Sequence, residues 1–66
     1  MKYSLTGIDG NAFFIMGYVA KGMLQEGYSE SEIDAYLGDC KSRDYDHLVA
    51  VSDEMCDRLN NVNKDS

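Results

Sequence analysis

Proline and tryptophan are absent from this chain, cysteine occurs only twice and histidine once. Two cysteines fall far below the density of a disulfide scaffold, so the fold must rest on packing. The 66 residues make one small domain, of a size that buries only about 60% of the surface its unfolded chain exposes. Basic residues are scarce as well. Six of them against twelve acidic ones leave a net charge of -6, which argues against direct contact between the general surface and a phosphate backbone. No apolar run reaches the roughly 18–20 residues of a membrane span, because Lys21, Gln25 and Glu26 interrupt the best candidate. The opening decapeptide MKYSLTGIDG lacks the unbroken apolar core of a secretory signal, so the expected compartment is a reducing cytoplasm. The glycines, in GIDGN, MGY, KGM, EGY and LGD, never take the spacing of a phosphate loop, and no cofactor is expected.

What is present is a strongly apolar stretch near the amino terminus, NAFFIMGYVAKGMLQE from Asn11 to Glu26, with no charge before Lys21. It reads as the central helix. Asp9 is its expected cap, with Ile8 and Phe13 at the two positions of a hydrophobic staple, and Gly27 supplies the left-handed residue that closes it. Ser29 and Glu32 have the spacing of a capping box for a second helix. Its narrow apolar stripe is Ile33, Tyr36, Leu37 and Cys40, with Gly38 off that stripe as a weak point. Asp44 is the expected cap of a third helix, whose inner side comprises Tyr45, Leu48, Val49, Ser52, Met55, Cys56 and Leu59. Lys2 to Thr6 reads as an extended arm over the helices, and Asn61 to Ser66 as an unanchored tail. The expected architecture is all-α: a three-helix bundle or array with helices over about 10–26, 30–41 and 45–60.

At 100° per residue, Ala12, Ile15, Met16, Val19 and Met23 share one face of the first helix, with Phe13, Ala20 and Leu24 on its flank. Phe14 and Tyr18 fall on the opposite side, in line with Lys21 and Gln25. Two aromatic residues one turn apart on the polar side of a helix are a candidate contact for a protein partner or a second copy. The competing reading has Tyr3 or Leu5 of the arm covering both and making them core.

On the third helix Asp46, Ala50, Asp53 and Asp57 share a face and, with Asp44, form a negative ridge with no basic residue in line; Glu54 and Arg58 compensate one another. Charge near the helix start is favourable in its own right, which accounts for Asp44 and Asp46 but not for Asp53 and Asp57. Cys40, His47 and Cys56 suggest zinc by residue type. Yet His47 and Cys56 on one helix lie about 13 Å apart along its axis, too far for ligands of one ion. A Cys40–Cys56 disulfide is disfavoured by the same helical offset, and both cysteines read as small core hydrophobes. His47 beside Asp44 and Asp46 has no nucleophile with it, so no enzyme is expected.

The blocks Asp9-Gly10-Asn11-Ala12-Phe13, Gly17, Gly27-Tyr28-Ser29 with Glu32-Ile33, and Asp44-Tyr45-Asp46-His47-Leu48 resemble those of a group of small bacterial and phage proteins of uncharacterised function. The resemblance covers most of residues 8–50 and implies a bacterial or mobile-element origin, without a mechanism; Asp53 and Asp57 lie beyond it. Met16-Gly17-Tyr18 is similar to the Met-Gly-aromatic loop of ubiquitin-associated domains, but here it falls inside a predicted helix, which removes the binding loop. The functional expectation is a small acidic, non-enzymatic interaction module using Phe14, Tyr18 and Gln25. The alternative is a mobile-element inhibitor that imitates nucleic acid and presents Asp46, Asp53 and Asp57 to a basic groove.

Overall fold

The computed structural model describes residues 2–64, which fold as a three-helix bundle: α1 (Ala12–Gln25), α2 (Glu30–Lys41) and α3 (Tyr45–Lys64), each in contact with the other two. The all-α expectation holds. Among the described residues there is no strand, and no helix is long and apolar enough to cross a membrane.

Local signals account for most helix ends. At α2, Ser29 Oγ accepts the Glu32 N–H at 3.2 Å, and the Glu32 carboxylate accepts the Ser29 N–H at 2.9 Å. Both halves of the capping box are therefore made, and those bonds hold the Glu32 carboxyl below its ordinary pKa. The Asp44 carboxylate accepts the His47 N–H at 3.0 Å at the start of α3. Gly27, at φ 89°, closes α1 with its own N–H to Leu24 O and that of Tyr28 to Met23 O, the paired bonds of a Schellman ending.

Two boundaries differ from expectation. The cap of α1 is Asn11, whose side chain accepts the Phe13 N–H at 2.9 Å, while Asp9 accepts the Asn11 N–H at 2.9 Å in a preceding turn. Either residue type caps well, but only Asn11 stands two residues before a free helical N–H. The shift removes the staple: Ile8 packs on the core, and Phe13 points to solvent. α3 passes its expected end near Asn60 and reaches Lys64, because neither glycine nor proline interrupts Asn61 to Lys64. The remainder of the expected tail, residues 65 and 66, lies outside the described residues.

Ile15, Met16, Val19 and Met23 of α1, Tyr36 and Cys40 of α2, and Leu48, Cys56 and Leu59 of α3 meet in the core. Ser52 is fully buried there as well. Its hydroxyl is hydrogen-bonded to that of Tyr36 and lies 4.0 Å from Cys40 Sγ, so the polar group enters the core with its partners. Tyr45 departs from the expected inner side. Its ring is 48% exposed, and its hydroxyl donates to Gly10 O, fastening the start of α3 to the approach of α1.

The amino-terminal arm seals the remaining side without forming a strand. Asn60 stands in for a neighbouring strand: its Oδ1 accepts the N–H of Lys2 at 3.1 Å and of Tyr3 at 2.7 Å, and its Nδ2 donates to Tyr3 O at 2.7 Å. The Ser4 N–H goes to the Tyr18 hydroxyl at 3.0 Å. Backbone polar groups in the arm are thus satisfied by side chains from α3 and α1. The Tyr3 ring lies on Gly22, where a Cβ would come within 2.8 Å of Tyr3 Cε1 and 3.2 Å of Leu59 Cδ1. Gly22 is therefore the notch that admits the arm.

Candidate interaction surface on α1

Docking of the arm divides the pair proposed from sequence. Tyr18 is half-buried, hydrogen-bonded to Ser4 and set edge-on against Tyr3 with ring centroids 6.4 Å apart. Gln25 is exposed, but its Oε1 lies 3.3 Å from the Tyr3 hydroxyl, whose proton goes to Glu26, so it too borders the arm. Phe14 remains uncovered at 59% exposure. Phe14 and Tyr18 do not form one free patch; the arm claims Tyr18 and stops short of Phe14.

The larger correction concerns the flank. Phe13 and Leu24, which the helix spacing sets on the flank of the inner face, are 76% and 66% exposed. In this bundle α2 and α3 cover the arc centred on Val19, leaving Phe13, Gly17 and Leu24 exposed, with the half-buried Ala20 at their edge, on a strip about 60° wide, and Phe14 beside it. Lys21 is the one charged residue within α1. Beside Phe13 a shallow groove of about 390 Å³, lined by Met16, Leu48 and Tyr45 among others, continues the apolar surface toward α3. The helix spacing already grouped Phe13, Ala20 and Leu24; the missed step was that an apolar residue need not be an interior one.

The acidic residues behave differently. Asp46, Asp53 and Asp57 are exposed, and no ion pair among the described residues involves them. Glu54 and Arg58 pair at 3.0 Å as their spacing predicts. His47 turns away from the ridge to Asp39 of α2, with Nε2 2.9 Å from Oδ1. It lines a cleft of about 510 Å³ together with Met23, Tyr28, Tyr36, Met55 and Arg58.

Both cysteines are free and buried. Burial raises the Cys56 thiol pKa, with the charges of Asp53 and Asp57 adding to it, which disfavours the reactive thiolate. Burial likewise raises the Tyr36 phenol. Among the described residues no group of three or more His, Cys, Asp or Glu is placed to hold a metal ion, and no buried side-chain polar atom lacks a partner.

Tyr3 carries the clearest pH signature. Its phenol donates to Glu26 Oε2 at 2.6 Å, and Lys2 Nζ lies 3.3 Å from the same oxygen. That hydrogen bond first, then burial and the charge of Glu26, push the phenol from 10.0 up to about 12. A proton held more tightly in the folded state stabilises fully below the unfolded value, and the effect fades as pH rises through the folded one. The contribution of Tyr3 is therefore complete below pH 10 and lost between pH 10 and about 12. Phenolate absorbance is expected to show a late ionisation step in this range that moves to lower pH in Glu26→Gln; an unmoved step would contradict the assignment.

Comparison of the chain with protein-family models, with curated proteins and with solved structures finds no match.

Proposed function

We propose that this protein is a non-enzymatic interaction module that docks another protein on the outer face of α1. The observation that carries the reading is the exposure of Phe13, Phe14 and Leu24, at 76%, 59% and 66%, on one continuous face of a helix whose opposite side is core. Exposed apolar patches of roughly a few hundred Å² are often functional surfaces. Two free buried thiols fit a reducing compartment such as the cytoplasm. The net charge of -6 disfavours nucleic acid as the direct partner.

A second reading draws on the uncompensated carboxylates of Asp46, Asp53 and Asp57. A ridge of this kind suits a Lys/Arg-rich groove, including one that ordinarily holds nucleic acid. The two readings separate by salt and by composition. Panning a library of helical peptides at low and high salt is expected to select apolar ligands whose binding is nearly salt-independent. That binding should be lost in Phe13→Ser and Phe14→Ser and kept in Asp53→Lys/Asp57→Lys. Selection of Lys/Arg-rich ligands that weaken with salt and are lost on charge reversal would favour the acidic ridge instead. No binder on either face, together with no self-association through α1, would overturn the docking reading.

A further inference from the structure

On the outer face of α1, Phe13, Gly17, Ala20 and Leu24 follow one another at steps of four, three and four residues. The order is large, small, small, large, and it reads the same from either end. Reversed about its midpoint between Tyr18 and Val19, the strip sets Phe13 against Leu24 and Gly17 against Ala20. Set antiparallel on a second copy about that midpoint, the strip pairs Phe13 with Leu24 twice and brings Gly17 to Ala20 between them, the reciprocal pairing of a two-fold contact between identical chains. The spacing is also that of a helix–helix seam, in which the large ends interlock across small central positions.

Gly17 adds an independent observation. A Cβ there would meet nothing within 4 Å, so the glycine costs α1 about 1 kcal/mol of helix propensity with no packing reason inside the protomer. Gly38 on α2 is equally open; what distinguishes Gly17 is its place between exposed Phe13 and Leu24. A small residue here lets a second helix approach closely across the middle of the strip.

Charge points to the same face. Two chains of net charge -6 repel one another over most of their surfaces, but α1 carries no carboxylate from Ala12 to Gln25. Apposition along α1 keeps the acidic faces of α2 and α3 turned outward. In the reversed register Phe14 of one chain falls beside Lys21 and Gln25 of the other, placing an ammonium within reach of an aromatic face twice by symmetry.

We propose that the occupant of this surface is a second copy of the chain, its α1 antiparallel to the first, forming a two-fold dimer. The inference rests on the docking reading and names its partner. The two phenylalanine rings leave on the order of 250 Å² exposed per protomer. With Leu24 and the rim the contact remains below the ~800 Å² per partner of a standard interface. A weak dimer follows, with a dissociation constant of about micromolar or weaker.

Sedimentation equilibrium from micromolar to millimolar protein is expected to show reversible dimerisation. Gly17→Leu should weaken it at least tenfold while the dilute protomer melts no lower than the parent, because leucine favours the helix; Gly38→Leu should leave association unchanged. Isotope-filtered NOE spectra of a mixed labelled and unlabelled sample are expected to connect the Phe13 ring of one chain to the Leu24 methyls of the other. A chain that stays monomeric at millimolar concentration while still capturing helical peptides on α1 would overturn the second-copy inference and leave the docking reading standing. Absence of both dimer and peptide capture would overturn both. A dimer joined through α2 or α3, a dimer with Phe13–Phe13 contacts, or one indifferent to Gly17→Leu would also overturn the inference.

Discussion

Tyr3→Ala is expected to lower folding stability by about 3–5 kcal/mol, the range for truncating a buried aromatic residue. Set against a total of roughly 3–10 kcal/mol for a domain of this length, the variant stands at the edge of unfolding. The effect is large because one side chain from the arm performs several tasks. Its ring, 5% exposed, fills the notch over Gly22, meets Tyr18 edge-on, and carries the hydroxyl that Glu26 accepts at 2.6 Å. Without it the Asn60 bonds to the arm lose their packing support, and Tyr18 gains solvent. Tyr3→Phe keeps the ring and is expected to cost only about 1.5–3 kcal/mol, the value of the bond to a charged acceptor. Urea unfolding of the two variants checks the order; an alanine variant within 1 kcal/mol of the parent would mean that the arm is not part of the fold.

Leu59→Ala comes next, at about 2–5 kcal/mol. Leu59 is fully buried where α3 passes α1, and its Cδ1 and the Tyr3 ring are the two walls that close on Gly22. Because the two side chains border the same notch, their losses should not add. A double-mutant cycle is expected to give a coupling of about 0.5–3 kcal/mol. Additivity within ~0.3 kcal/mol would place the arm and the α1–α3 contact in separate units.

These residues also mark where the sequence was legible and where it was not. The capping box of Ser29 and Glu32, the Gly27 ending and the inner stripe of α2 depend on residues within a few positions of one another, and all three appear as read. The tasks of Asn60 and Gly22 could not be read in this way. Asn60 looked like a helix end, yet its amide pairs with backbone groups 57 residues away. Nothing near Gly22 in the sequence indicates that the Tyr3 ring lies across it. The exposure of Phe13 and Leu24 has another cause. Periodicity orders residues around a helix, but the arc that neighbours cover depends on where the other helices cross. Here that arc centres on Val19 and excludes the flank.

The arm supplies the other half of the same geometry. By taking Tyr18 and Gln25 into its own contacts it settles one edge of α1, and the uncovered surface moves toward Phe13, Phe14 and Leu24. Docking on this face needs no rearrangement of the core, so association is expected to leave the bundle intact.

Equilibrium unfolding of the Phe13→Ser/Phe14→Ser double variant, at a concentration low enough to keep the chain monomeric, tests this most directly. If both rings serve a contact outside the protomer, stability should stay within about 1 kcal/mol of the parent, as for surface substitutions. A loss of several kcal/mol would make them part of the core and contradict the docking surface.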